Sequence, residues 1–445
     1  MGGNFYTSKN NNYRKVLTNN IEYELESQEF KGCCRKSDLE GVSRNRKLNL
    51  KNLIFIIMNS KTSIQRDLDN FFKEVTDSTF NIRHVTKGAF SKARQLLDPY
   101  AFIRLNQIAV DTFYETASYD KWLGHRLLSC DGSRLVLPNH PTVIEEFGQH
   151  KFGPKADSSR SLALCSTLYD ALNYITIDGQ IDKYASSERD LLVKHLDKVK
   201  KGDLLLLDRG YPCIWLLYLL QAKGVEFCIR MKDDWWTEVN EFYKSDEDEK
   251  IVEFNLPKKD YDKLSDYKDV IEKPIKCRLI KVILDDGETE ILCTSLLDPI
   301  KYKTEGFGEL YHFRWNHEES YKLLKNRAEL ENFSGKKAIA VKQDFHAKIL
   351  SMTLCAAYAH PIEEKVIAEY KADKDRKHSQ KINRTNALSM LQSILIPIFI
   401  KKKFKKAIKA FDEIVYKTRE IIRPDRKNPR NHKPKKLYNM VYKRI

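Results

Sequence analysis

The chain has 445 residues, 42% of them hydrophobic, which is enough for about two to four structural units around a sizeable core. Its 78 Lys and Arg residues exceed its 62 Asp and Glu residues, and the net charge of +16 favours a polyanionic partner, most often nucleic acid, over a merely solvated basic surface. The longest apolar runs are too short to cross a bilayer and no signal peptide follows Met1, which predicts a cytoplasmic protein without a membrane partner. The nine scattered cysteines lack zinc spacing, which predicts reduced thiols.

The N-terminal residues divide into a polar stretch and a helical one. Residues 1–50 are Asn-rich and basic, which predicts a partly flexible arm. Residues 51–115 carry apolar side chains at helical spacing, with Thr86 as an N-cap, and predict a small DNA-binding bundle of the helix-turn-helix type. The basic groups expected to contact phosphates from the arm are Arg44, Arg46 and Lys47.

From residue 116 to residue 232 the pattern is α/β. RLLSCDGSRLVL predicts a strand, a tight bend at Gly132 and a second short strand, and two further runs predict a hairpin. Ser186 and Ser187 are candidate caps of a following helix, and LLLL before Asp208 is typical of a fully buried central strand. The order β-β-β-α-β-α-β predicts the mixed sheet of a ribonuclease-H-like fold.

The rest of the chain is predicted to complete this core. Residues 233–302 have strand and turn signals without helices and predict a β-rich insertion. Residues 303–365 are expected to form the second part of the core, with a helix that carries an acidic residue. Residues 366–445 predict a helical C-terminal region that ends in a basic tail.

Three acidic residues stand where a cleft would lie. Asp131 and Asp208 each end a buried apolar run, and Glu318 lies on the predicted helix. Such an acid is costly without a partner or a cation. Two strand-end aspartates and a glutamate are oxygen ligands suited to two Mg²⁺ ions, or Mn²⁺ in their place, about 3.5–4 Å apart, which is a pair that cleaves phosphodiesters. The alternative is that each aspartate is an ordinary turn residue, since Asp before Gly is common turn chemistry.

The helix predicted over residues 310–330 carries five polar residues on one side. At 100° per residue they share a stripe about 80° wide, next to an apolar stripe that packs on the sheet. An exposed face with a Glu–Lys pair is the simpler interpretation, but it leaves the aromatic and guanidinium groups on the same stripe unexplained. The five residues are Tyr311, Arg314, Glu318, Lys322 and Lys325.

These residues resemble a known family. The spacing Tyr311-x2-Arg314-x3-Glu318-x6-Lys325 resembles the Y-R-E-K signature of DDE transposases of the insertion-sequence-four type. The DGS at Asp131 and the DRGYP from Asp208 are similar to further motifs of that family. The resemblance extends from about residue 40 over most of the chain.

The resemblance implies a prokaryotic enzyme that performs cut-and-paste transposition. It implies that Asp131, Asp208 and Glu318 bind the metal ions and that Tyr311, Arg314 and Lys325 hold phosphates near the cleaved end. The partners it implies are double-stranded DNA, as terminal inverted repeats and target, and a second copy of the chain in the synaptic complex.

Several other residues are candidates for contact with DNA. Lys322 is expected near phosphates, and Arg209 suits either a phosphate contact or a salt bridge. Family members flip a base onto an aromatic residue of the insertion, and Trp235 and Trp236 are the candidates, although both also suit packing of the insertion. His312 and His317 are assigned no ligand role, and Glu188 is a weaker candidate neighbour of the site.

Two other functions stay open at this stage. One is a catalytically silent DNA-binding protein derived from a transposase, which end-specific binding without cleavage would reveal. The other is a ribonuclease-H-like nuclease or resolvase, which would prefer a junction or hybrid substrate to repeat ends.

Overall fold

The computed structural model describes residues 5–34, 47–152, 158–284, 287–373 and 377–423. The predictions for Arg44, Arg46 and the basic tail beyond residue 423 concern residues outside these ranges. None of the described helices is long and apolar enough to cross a membrane. All nine cysteines are free, and all but Cys33 and Cys213 are buried.

The elements follow one another along the whole described chain. The helices are α1 Phe5–Glu26, α2 Gln28–Cys33, α3 Leu50–Met58, α4 Ile64–Val75, α5 Lys87–Arg94, α6 Tyr100–Thr116, α7 Pro141–Phe147, α8 Glu188–His195, α9 Ile214–Ala222, α10 Thr237–Lys244, α11 Lys268–Ile271, α12 Gly306–His312, α13 Trp315–Asn326, α14 Ala338–Ala372, α15 Arg384–Leu395 and α16 Phe404–Lys417. The strands are β1 Leu127–Val136, β2 Gln149–Phe152, β3 Ser158–Asp170, β4 Thr176–Lys183, β5 Leu204–Leu207, β6 Glu226–Met231, β7 Glu249–Phe254, β8 Ile275–Ile283, β9 Thr289–Thr294, β10 Gln380–Lys381 and β11 Glu420–Ile421.

Nine of these strands form one mixed sheet. Its centre has the order β4-β3-β1-β5-β6, in which β3 is antiparallel to β1 while β5 and β6 run parallel to it. The helices α8 and α9 make the two parallel crossovers. This order and these directions are those of a ribonuclease-H-like sheet, so the predicted fold class is confirmed. The four leucines of β5 are all fully buried, as expected for a central parallel strand.

The bend predicted at Gly132 is wrong. β1 is a single strand of ten residues that runs through Gly132, and it pairs with β3 without interruption from Leu128 to Val136. Turn chemistry therefore does not explain this glycine, which has no positive φ.

The predicted β-rich insertion does not form a separate sheet. Its strands extend the edge of the main sheet, where β9 pairs with β6, β8 with β9 and β7 with β8. Helices absent from the prediction also occur there, namely α10 and a 3₁₀ segment at Lys258–Tyr267 that continues into α11. The apolar side chains of these strands need a covering layer, and short helices with one apolar side supply it.

The arm predicted over residues 1–50 is largely helical in its described part. Tyr13, Leu17, Ile21 and Leu25 recur every fourth residue of α1 and are buried against α6 and α14. A spacing of four places them on one side of the helix, a pattern that the polar composition concealed. The Arg14 guanidinium of α1 donates to Asp412 of α16 at 2.6 Å.

The C-terminal half is organised around α14, which is 35 residues long. The boundary predicted between residues 365 and 366 falls inside this helix, which Pro361 does not break. Helix α14 packs on β4, α3 and α6, and thereby joins the sheet to the N-terminal helices. Helices α15 and α16, with the π-helical turn Ile396–Ile400 between them, pack on its far end.

Candidate active site

The two predicted aspartates lie on neighbouring parallel strands. The register of β1 and β5 pairs Leu127 with Leu204 and Ser129 with Leu206, so that two residues further on Asp131 stands opposite Asp208. Asp208 directly follows the last residue of β5. Each carboxylate also accepts from a nearby glycine, Asp131 from the N–H of Gly132 at 2.9 Å and Asp208 from the N–H of Gly210 at 2.8 Å.

The single helix predicted over residues 310–330 is interrupted. α12 ends at His312 and α13 begins at Trp315, and the joint is held by bonds three residues apart, from Arg314 N–H to the Tyr311 carbonyl at 3.1 Å and from His317 N–H to the Arg314 carbonyl at 3.0 Å. Because a 3₁₀ step turns the chain faster than an α-helix does, the predicted stripe is not one continuous surface. Tyr311 and Arg314 are buried, whereas Lys322 is exposed.

His317 fixes α13 on the sheet. Its ring is fully buried, with Nδ1 2.9 Å from the Ser129 hydroxyl of β1 and Nε2 2.7 Å from the Thr167 hydroxyl of β3. One turn later the Tyr321 hydroxyl donates to the Asp131 carbonyl at 2.9 Å. These contacts set the position of Glu318. Burial lowers the pKa of His317 to about 3, with Arg314 acting in the same direction, so the ring is neutral and serves as an anchor.

We expect His317→Leu to lower the free energy of unfolding by about 1–3 kcal/mol, because it removes the ring that bonds the buried hydroxyls of Ser129 and Thr167. Urea denaturation measures this. The control is His312→Leu, since His312 is exposed on α12. Equal stabilities of the two variants would contradict the anchoring role.

A cation already lies among the acids. The Arg314 guanidinium donates to Glu318 at 2.8 Å and also lowers the pKa of Asp131. That influence is outweighed, since burial, followed by the neighbouring Asp208, raises the pKa of Asp131 to about 7. The ionised Asp131 carboxylate is therefore under-compensated in the folded chain.

Tyr311, Lys325 and Lys322 lie at separate places around the acidic residues. The Tyr311 hydroxyl donates to the Leu207 carbonyl at 3.3 Å, at the end of β5. Lys325 donates to the Arg134 carbonyl at 2.8 Å, at the end of β1. Lys322 forms an exposed ion pair with Glu319 at 2.5 Å, on the outer side of α13.

The remaining candidates for DNA contact are dispersed. Arg209 is exposed beside Asp208 and has no ion pair to any residue in the described ranges. Trp235 is 45% exposed, with the Lys232 ammonium 3.8 Å from its ring centroid. Trp236 instead packs edge-on against Phe254, 4.7 Å between centroids, as expected of a residue that packs the insertion. Lys47 lies 3.3 Å from His84, in the loops that flank the N-terminal helices α3 and α5.

Within the described residues, no three Asp, Glu, His or Cys side chains are close enough to form a ready-made metal site. The chemistry of the acids nevertheless suits a divalent cation. All are oxygen ligands. Asp131 and Asp208 repel one another, and the nearby Arg314 guanidinium is already bound to Glu318. Hard divalent cations ordinarily neutralise the negative charge of such a group of carboxylates.

Sequence reasoning underrated two residues at the start of α8. Glu188 raises the pKa of Asp131, and its own pKa is raised by burial and then by Asp208, so it faces both aspartates. Arg189 donates to three successive carbonyls after Asp208, those of Gly210, Tyr211 and Pro212. The SSERD motif predicts where the helix begins, but it does not predict the direction in which the first side chains of the helix point.

The chain is similar to known proteins over most of its length. The family model described as transposase DDE domain matches residues 122–354, just over half of the chain. The transposase InsG for insertion sequence element IS4 of Escherichia coli (strain K12) is 22% identical over 359 residues, which cover 78% of this chain and 77% of that protein. A solved synaptic complex of piggyBac transposase with hairpin DNA covers 89% of this chain and 85% of its own at 10% identity, with a TM-score of 0.45 that is too low to support an inference.

Proposed function

The chain belongs to the DDE transposase family, and from this premise we propose that it cuts DNA at the terminal inverted repeats of its own element and joins the freed 3′ ends to a target. The observation that carries this proposal is the proximity of Asp131, within β1, to Asp208, directly after the parallel strand β5, beside a helix that presents Glu318. Neighbouring strands of a buried sheet give reactive groups the fixed geometry that cleavage requires.

In this proposal Asp131, Asp208 and Glu318 hold two Mg²⁺ ions, with Mn²⁺ able to replace them. When bound, such a pair activates the attacking water or 3′-hydroxyl and stabilises the leaving oxygen at the phosphodiester. Water supplies the oxygen that enters at phosphorus, the bond to the 3′ oxygen breaks, and that oxygen leaves as a hydroxyl. In strand transfer the same hydroxyl attacks a target phosphodiester, without a covalent enzyme intermediate.

The basic residues around the acids would hold the DNA backbone. Arg314 binds Glu318, and its guanidinium would be available to a phosphate if that carboxylate held a cation instead. Its planar fork suits phosphate better than an ammonium does. Lys325 at the end of β1 and the exposed Arg209 would contact phosphates on either side of the cut. Lys322 would leave Glu319 to contact the same backbone.

Recognition of the ends is assigned to the N-terminal residues, and synapsis to a homodimer. The segment from α3 to α6 presents basic groups to solvent, among them Arg83 in the loop before α5 and Lys87 at the start of α5, that suit contact with phosphates. Trp235, exposed and close to a lysine, is the better placed of the two tryptophans to stack on an unpaired base.

Strand cleavage tests the proposed function. The purified chain is incubated with Mg²⁺ or Mn²⁺ and DNA that carries the sequence flanking its own gene, beside the Glu318→Ala variant. We expect cuts at the repeat ends that fall at least about 100-fold in the variant, because a metal ligand is lost.

The outcomes separate the alternatives. Salt-sensitive, end-specific binding by both proteins without cutting would identify a silent DNA-binding protein. Preference for a junction or a hybrid would indicate a structure-specific nuclease. Cutting by Glu318→Ala at the wild-type rate would refute the assignment of Glu318.

A further inference from the structure

A fourth acid lies beside the two aspartates. Glu188 is the first residue of α8, which Ser187 caps through a reciprocal pair of hydrogen bonds with Asp190. The helix packs on β1, β3 and β4, the strands that form one side of the sheet centre. The cap fixes where α8 begins, and the side chain of its first residue, Glu188, reaches Gly132 in the middle of β1.

Gly132 makes room for Glu188, and Gly210 lies beside the same side chain. A Cβ atom built on Gly132 would lie 2.6 Å from both Cγ and Oε1 of Glu188. A Cβ atom on Gly210 would lie 3.7 Å from Oε2 of Glu188 and 3.1 Å from Oδ1 of Asp208. Neither glycine has a positive φ, so neither is required by backbone conformation. Gly132 follows Asp131 directly and Gly210 follows Asp208 by two residues, and both lie against the same carboxylate.

Arg189 locks this arrangement. Its guanidinium donates to the carbonyls of Gly210, Tyr211 and Pro212 at 2.9, 3.1 and 3.2 Å. The loop after Asp208 is therefore tied to the first turn of α8. Because Glu188 directly precedes Arg189, these hydrogen bonds also fix the position of Glu188 relative to Asp208.

We propose that Glu188 is a fourth acidic residue of the catalytic centre, and that its carboxylate acts with Asp131 and Asp208 to hold a divalent cation. The proposal rests on the proposed function and adds a residue to it. The alternative role is purely structural, since an acid in the first turn stabilises a helix through its dipole. That role predicts a loss of stability with no change in metal requirement, and the two roles are therefore separable.

The first test titrates Mn²⁺ against wild type, Glu188→Gln and the control Glu146→Gln, an exposed acid of α7 that pairs with Lys342. Two quantities are measured on the full chain, the Mn²⁺ concentration for half-maximal cleavage of repeat-end DNA and the Mn²⁺-induced rise in melting temperature without DNA. We expect Glu188→Gln to raise the half-maximal concentration at least about tenfold and to reduce the thermal shift, with the control unchanged.

The outcomes distinguish the proposed role of Glu188 from the proposed transposase function on which it rests. If Glu188→Gln keeps the wild-type Mn²⁺ dependence while Asp208→Asn loses cleavage, the role of Glu188 is overturned and the proposed function stands. If the wild type neither cuts DNA nor responds to Mn²⁺, both are overturned.

Gly132→Ala provides a second test that removes no charge. Its new Cβ occupies the place of the Glu188 side chain, so we expect the same rise in Mn²⁺ requirement. In a Glu188→Ala background that space is free, and adding Gly132→Ala should then have little further effect. An equal effect of Gly132→Ala in both backgrounds would mean that Glu188 does not act through this site.

Discussion

Asp131→Asn should reduce strand cleavage at least about 1,000-fold, a loss of about 4 kcal/mol of transition-state stabilisation, while affinity for repeat ends changes little. Asn keeps the shape of the side chain and its bond from the Gly132 N–H but removes the charge that, in the proposed function, holds a cation. Cleavage and gel-shift assays on the same end DNA measure the two effects. Glu146→Gln, the exposed control, should alter neither.

The same substitution should stabilise the metal-free protein above neutral pH. Burial and Asp208 raise the pKa of Asp131 to about 7 from an ordinary value of 3.8, so the folded chain binds this proton more tightly than the unfolded chain does. The stability that protonated Asp131 contributes is complete below about pH 4 and is lost as the pH rises to about 7. The advantage of Asn should therefore appear at pH 8 in EDTA and vanish near pH 4. A less stable variant at pH 8 would show that the carboxylate is already compensated.

The aspartates were predictable because their signal is local. LLSC before Asp131 and LLLL before Asp208 each identify a buried strand, and the parallel register of β1 and β5 brings the two acids together, although β1 continues past Asp131 to Val136. Nothing beyond short-range hydrophobic pattern and the rules of sheet geometry is required.

The surroundings of the aspartates were not predictable in the same way. The 3₁₀ joint at Arg314 arises from contacts of α12 and α13 with the sheet, which helical spacing along the sequence does not encode. The sequence suggested a turn at Gly132, because the side chain that requires a glycine there, that of Glu188, is 56 positions later in the chain. The helical N-terminus depends likewise on distant surfaces, since α1 buries its apolar side against α6 and α14. In each case tertiary contact overrides local propensity.

The largest effect on stability should come from Arg94→Met, at about 3–5 kcal/mol, because it leaves a buried carboxylate unpaired. The Arg94 guanidinium of α5 binds Asp344 of α14 at 3.0 Å, the Ser334 hydroxyl at 2.7 Å and Gln343 at 2.8 Å. The charged side chains of Arg94 and Asp344 are only 5% and 4% exposed. Solvent therefore cannot replace the lost partner.

The double variant Arg94→Met/Asp344→Leu distinguishes a penalty for isolated charge from a loss of packing. It removes both charges, and we expect it to recover most of the stability lost by Arg94→Met in urea denaturation. Equal stability of the single and double variants would mean that the cost lies in packing alone. The pair joins the N-terminal helices, assigned here to end recognition, to α14, which supports β4 of the catalytic sheet. If recognition and cleavage depend on that junction, Arg94→Met should also uncouple them, with end binding retained at low temperature while cutting declines, and the double variant should restore cutting together with stability.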